Sequence, residues 1–196
     1  ADTSGNGHDG TINGGASWTS GQEGDALEFG NGDTTSVTLP SAPFAALTDA
    51  VTISKWVYGA SDQPLSDTIF RANDSSGNRV LNIHLPWGNS RVYWDAGNTG
   101  NAYDRVNKAA NESDFKGAWN HWVFTKNAAE GTLKIYLNGV LWANASGKVR
   151  DLTGITSVTL GAINAAGASR YEGTVDQVRV YDIALDEAAI TALYNE

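Results

Sequence analysis

Residues 132–145 read TLKIYLNGVLWANA. Two apolar runs flank Asn138-Gly139, and this dipeptide is the signature of a type I′ turn, in which both central residues need positive φ. The stretch therefore reads as a β-hairpin. Working outward from it, short alternating or apolar runs recur along the chain between clusters of Gly, Asn, Asp, Ser and Pro, and helical periodicity is nearly absent. That pattern predicts a sandwich or barrel. Strands are expected over residues 25–29, 36–39, 51–58, 67–72, 80–85, 91–95, 119–126, 132–137, 140–145, 157–162 and 173–181. One helix is expected in LDEAAITALYNE (185–196), covering an edge of the sandwich. Asp186 is its N-cap, Glu187 sits favourably in the first turn, and Leu185 and Ile190 form a hydrophobic staple.

A chain of 196 residues fits one domain, 1–196, with no internal repeat or dividing linker. Cysteine is absent, which excludes a disulfide framework and thiolate metal sites. The formal net charge of −9 argues against nucleic acid and anionic membranes as partners. No apolar run approaches the ~18 residues of a membrane span. The chain begins with Ala, contains no Met and shows no signal peptide, so it reads as a module of a longer secreted protein, placed outside the cell or at its surface.

Near the start, Asp2, Ser4 and Asn6 place oxygen-bearing side chains at alternate positions, with Gly7 after the third. Calcium loops use this spacing to converge alternate side chains on one point. Further carboxylates and a bidentate Glu at the twelfth position are missing, so the stretch is not an EF-hand. In GTVDQVRVYD (173–182), simple alternation puts Asp176 on the face of Val178 and Val180, with Arg179 opposite. A carboxylate on an apolar face needs a partner, which is either a cation or a set of backbone N–H groups. Asn31 and Asp33 in FGNGDTT could add oxygens. The expected calcium ligands are thus Asp2, Ser4, Asn6, Asp33 and Asp176.

The segments DTSGNGHDGTINGGASW, GDALEFGNGDTTSVTLP, VTISKWVY, AWNHWVFTKN, GTLKIYLNGVLWAN and YEGTVDQVRVYDIALDEAAITALY follow one another in an order that resembles laminin-G-like domains of the concanavalin A-like lectin/glucanase superfamily. The resemblance spans nearly the whole chain. It implies an all-β, concanavalin A-like jelly-roll sandwich of two antiparallel sheets, with a calcium ion near the joined terminal segments. It also implies a carbohydrate- or protein-binding module attached to a secreted enzyme or adhesin. Fold alone does not fix function here, because the superfamily includes lectins, glucanases and lyases.

The candidate ligand face lies in HLPWGNSRVYWDAGN (84–98). Alternation sends Leu81, Ile83, Leu85, Val92 and Trp94 inward and His84, Arg91, Tyr93 and Asp95 outward, with Trp87 in the turn. Tyr103 and Arg105 follow in YDRVNK. Aromatic rings that stack on sugar C–H faces, beside charged and amide groups that bond hydroxyls, suit a polysaccharide or glycan. The competing reading is a well-packed hairpin. Trp56, Trp94, Trp119, Trp122 and Trp142, embedded in strand patterns, are expected in the core.

No catalytic residue is assigned. The alternating carboxylates that a glucanase of this superfamily needs are absent, and the glutamates are scattered. There is no G-x-S-x-G elbow and no H-E-x-x-H motif. A small lyase using His84 and Tyr93 is the residual enzymatic alternative. The leading expectation is a calcium-stabilised, non-catalytic carbohydrate-binding module, and the second is a protein- or peptide-binding adhesion domain.

Overall fold

The computed structural model describes residues 1–30, 34–100 and 102–196. Two seven-stranded antiparallel sheets pack face to face as the expected jelly-roll sandwich. The first sheet runs β1 (Thr11–Asn13), β4 (Ser36–Leu39), β13 (Ile155–Leu160), β6 (Phe70–Asp74), β7 (Arg79–Trp87), β8 (Arg91–Thr99), β9 (Ala102–Ala109). The second runs β12 (Val140–Ala145), β11 (Thr132–Leu137), β10 (Asn120–Asn127), β5 (Ala50–Gly59), β14 (Gly173–Tyr181), β3 (Asp25–Phe29), β2 (Ser17–Ser20). Strands β1, β2 and β9 were not expected from the sequence, nor were the four-residue helices α1 (Ala42–Ala45) and α2 (Glu112–Phe115).

The β11–β12 turn has φ of 50° at Asn138 and 78° at Gly139, as a type I′ turn requires. Asn138 also ties the turn to β10: its Oδ1 accepts the His121 N–H at 2.8 Å, and its Nδ2 donates to Asn120 Oδ1 at 2.9 Å.

Between the sheets, alternate residues of both inner faces are sealed from water, among them Ile53, Val57, Phe70, Ile83, Trp94 and Phe124. Trp94 and Trp122 occupy this core as expected, and half-buried Trp142 packs on its margin, edge-on to Trp122. Trp56 and Trp119 do not. On β5, Val51, Ile53, Lys55 and Val57 share the inner face, which sends Trp56 outward to stack with His121 and Tyr194. Trp119 is half-buried, edge-on to Tyr58.

Lys55 is the exception inside the core. It is fully buried, its Nζ has no hydrogen-bond partner, and its ammonium lies 4.8 Å from the Phe124 ring centroid and 5.8 Å from that of Phe70. Burial alone pushes its pKa down to about 7.

The C-terminal helix α3 (Glu187–Tyr194) forms as its sequence predicts. Asp186 Oδ1 accepts the Ala189 N–H at 2.8 Å, and Ile190 and Leu185 pack on Val123 and Tyr136. Those partners point outward from β10 and β11. The helix therefore covers part of the second sheet's outer face rather than an open edge.

Candidate functional site

Strand register lines up one row of outward residues across all seven strands of the first sheet: Thr11, Thr38, Thr159, Arg71, Asn82, Asp95 and Arg105. At about 4.8 Å between neighbouring strands the row is about 29 Å long. Beside it, His84, Tyr93 and Asn107 form a second row on β7, β8 and β9. The face is polar because period-two alternation puts aliphatic residues of the same strands into the core.

Asp95 is the hub. It is fully buried, and it accepts Arg105 Nε at 2.5 Å, Arg105 Nη2 at 2.8 Å, Arg79 Nη1 at 2.7 Å and Asn82 Nδ2 at 3.4 Å. Asn82 passes the network on, its Oδ1 accepting Arg71 Nη1 at 3.2 Å, while Arg71 Nε donates to Asn73 Oδ1 at 2.5 Å. The guanidinium of Arg105 lies 4.7 Å from the Tyr93 ring centroid and 4.9 Å from that of Tyr103; that of Arg79 lies 4.6 Å from Tyr103. Arg105 has its pKa raised by the Asp95 hydrogen bond. Arg71 is lowered to about 10, first by burial and then by the positive charge of Arg79.

The structure thus brings together Tyr93, Asp95, Tyr103 and Arg105 from the sequence-predicted set. Arg91 sits at the rim, its Nε donating to Asn107 Oδ1 at 2.7 Å. Trp87 stands edge-on against His84, with centroids 4.3 Å apart. His84 and Asp95 differ from their expected role of touching a ligand. Asp95 lies beneath the arginines that it holds. His84, 8% exposed, has its Nδ1 2.6 Å from the Asp67 carbonyl oxygen and 3.2 Å from Thr68 Oγ1. A carbonyl only accepts, so Nδ1 carries the proton and the ring braces the 67–68 segment against β7. Burial lowers the pKa of His84 to about 4.

Sequence reasoning missed Arg71 and Arg79. The signal for Arg71 was present, since alternation in strand 67–72 with Phe70 and Ala72 inward leaves Arg71 outward. Arg79 lies beyond the expected strand start, and the register shift between Ala72 and Asn73 pairs it with Asn73.

Three of the expected metal ligands lie together, and a fourth is engaged by other partners. Asp2, Ser4 and Asn6 do gather in a terminal loop, linked from Ser4 Oγ to Asp2 Oδ2 at 2.8 Å and from Asn6 Nδ2 to Ser4 Oγ at 3.1 Å. The Asp2 carboxylate also accepts the N–H groups of Ser4 and His8, each at 2.9 Å, and these bonds lower its pKa to about 2. Asp176 is on a different face from the one that alternation predicts. Gln177 has φ of 47°, and the β14–β5 register shifts between Asp176 and Arg179. This bulge turns Asp176 outward, opposite Trp56, on the same side as Arg179. There its oxygens accept the N–H groups of Glu23 at 3.0 Å and Gln177 at 2.7 Å, the backbone alternative to a cation. Asp33 lies outside the described residues. Among those described, no three His, Cys, Asp or Glu side chains form a metal-binding group. In this loop both Asp2 oxygens accept hydrogen bonds from Ser4 and His8.

A recess of about 390 Å³ opens on the second sheet, lined by Trp56, His121, Arg179 and Tyr194 among others. Its rings lie against one another, with Trp56–Tyr194 centroids 5.6 Å apart, so they do not offer the extended polar row of the first sheet.

The Laminin_G_3 family model, described as concanavalin A-like lectin/glucanases superfamily, matches residues 31–191. The chain belongs to this superfamily. No curated protein matches this superfamily member in sequence. Its fold is shared with domain 4 of AbnA, a GH43 extracellular arabinanase from Geobacillus stearothermophilus solved with arabinotriose (TM-score 0.72, 20% identity, 94% of this chain and 87% of that one). It is shared also with the binding domain of botulinum neurotoxin DC solved with SialylT (0.75, 18%, 99% and 47%). The same domain solved with rat synaptotagmin II gives 0.75, 18%, 99% and 48%. The chain spans about half the length of the toxin binding domains it matches. These identities establish the superfamily fold alone.

Proposed function

We propose that this chain is a non-catalytic carbohydrate-binding module of an extracellular protein, and that the outer face of the first sheet holds the glycan. The observation that carries the reading is the Asp95-centred network, which fixes Arg71, Arg79 and Arg105 beside Tyr93 and Tyr103 on one polar face. Side-chain exposure of 28% for Arg79 and 32% for Arg105 leaves donors facing solvent above the buried carboxylate. Planar guanidinium and amide donors in a fixed row suit the hydroxyls of an extended sugar chain. The arabinotriose and SialylT complexes of structural relatives are consistent with glycan binding on this scaffold.

The chemistry of His84 favours holding over cutting. A general base works best with a pKa near the working pH, and burial keeps that of His84 at about 4. A protein partner is the second reading, favoured by the synaptotagmin complex of a relative. A polysaccharide pull-down and glycan array with the wild-type chain and the Tyr103→Ala variant test the first reading. Retention of at least one glycan, weakened in the variant, is the expected result. If no glycan is retained, the carbohydrate reading is wrong.

A further inference from the structure

We infer that the first-sheet face selects acidic polysaccharide, with Arg71, Arg79 and Arg105 reading a carboxylate or sulfate group on the sugar. The inference rests on the carbohydrate-binding reading above and adds the ligand's charge to it.

The argument begins with a local charge opposite to that of the whole. The chain carries a net −9, yet the outward positions of β6 to β9 hold Arg71, Arg79, Arg91 and Arg105 against one carboxylate, Asp95. Toward the other edge the face continues through uncharged Ser157, Thr159, Ser36, Thr38, Thr11 and Asn13. A cluster of like charge in an acidic protein raises the free energy of the fold unless something offsets it. Asp95 offsets only part: Arg71 has no direct bond to it and is held through Asn82. The positive charge of Arg79 also acts unfavourably on Arg71. An anion at this point would relieve that repulsion.

The donor inventory agrees. Arg79 gives only Nη1 to Asp95, and Arg105 gives Nε and Nη2. Among the described residues, Arg79 Nε and Nη2, Arg105 Nη1 and Arg71 Nη2 have no hydrogen-bond partner, and none of them is a buried orphan. The cationic groups on this face are all arginines, whose planar forks match the oxygen pairs of carboxylate and sulfate better than lysine does. Neutral sugar hydroxyls need no such excess of charge.

The test is calorimetric titration of the chain with two matched pairs: polygalacturonate against its methyl ester, and dextran sulfate against dextran. The pairs separate carboxylate from sulfate as the source of the charge. At least one acidic polymer should bind tenfold or more tightly than its neutral partner, and its affinity should fall as salt rises. Arg71→Gln and Arg105→Gln should each lower acidic binding tenfold or more. Lys134→Gln on the second sheet removes the same charge elsewhere and should leave binding unchanged. Thermal melting confirms that each variant folds; should Arg105→Gln unfold, Arg71→Gln, which does not touch Asp95, carries the test. Equal binding of acidic and neutral polymers, or equal losses in Lys134→Gln and Arg71→Gln, overturns the charge selectivity and leaves the carbohydrate reading standing. Binding of no polysaccharide in this set or on the array overturns both.

Discussion

Arg105 grips Asp95 across β8 and β9 through two parallel contacts, Nε to Oδ1 at 2.5 Å and Nη2 to Oδ2 at 2.8 Å. The carboxylate is sealed, and the Arg105 side chain is about a third exposed. Removing one partner of a buried pair costs more than the pair contributes, because the other partner keeps its desolvation cost. Asp95→Asn should lower unfolding free energy by about 2–4 kcal/mol in urea titrations. It should also weaken ligand binding without touching ligand. A stability change under about 0.5 kcal/mol, the level of an ordinary surface substitution, would contradict the hub role of Asp95.

Acid should destabilise the fold through two buried imidazole rings. His84 and His121 are both buried, and burial lowers each from 6.5 to about 4. Between those values the unfolded chain binds protons that the folded chain does not, so stability falls as pH drops from 6.5 toward 4. The loss is roughly 2–3 kcal/mol per ring at the lower limit. Urea midpoints across this window measure it, and His121→Gln should flatten the slope.

Lys55 acts on the alkaline side. Its folded pKa of about 7 lies below the ordinary lysine value of 10.5, so the unfolded chain binds the extra proton between them. Stability should rise with pH from about 7 toward 10, by roughly 3–5 kcal/mol for this one group. Lys55→Met keeps a long flexible chain and removes the charge. It should raise the melting temperature at pH 6 and change it little at pH 10. Equal shifts at both values would show that Lys55 is not charge-strained.

For Asp2 and Asp176, hydrogen bonds to backbone N–H groups predict that a chelator leaves the melting temperature unchanged. Asp176→Ala should still cost about 1–2 kcal/mol, because it strands the buried-side donors of Glu23 and Gln177. A drop of several degrees on chelation would put a stabilising cation in the protein, since a ligand bound only by the native state raises its midpoint.

The sandwich was legible where local chemistry is decisive. Asn138-Gly139 can form few other turns, and β11 and β12 have the predicted bounds. Edge strands were not: in β9 only Asp104 and Val106 are buried, so the apolar alternation that marks a strand is nearly absent. Asp176 was misassigned because alternation assumes an unbroken period, and the bulge at Gln177 adds one residue that nothing in VDQVR announces. Trp56 was placed inside because it is embedded in a strand pattern; the structure instead puts Lys55 inside, a rare position for lysine, and this turns Trp56 outward. Half of the candidate face was visible as alternation in 84–98. Of its other half, Arg71 was readable as outward from alternation in β6, whereas Arg79 joins the face through the register shift between Ala72 and Asn73, which no local signal announces.

The clamp on Asp95 also fixes when motional freedom is surrendered. A long side chain frozen on association costs about 0.5–1.5 kcal/mol of affinity. Arg79 and Arg105 are immobilised by Asp95, and Arg71 by Asn73 and Asn82, while the chain folds. Their entropy is lost then, and a ligand arriving later meets a surface already in its final shape. Asp95, which no ligand can reach, therefore governs how tightly one is held.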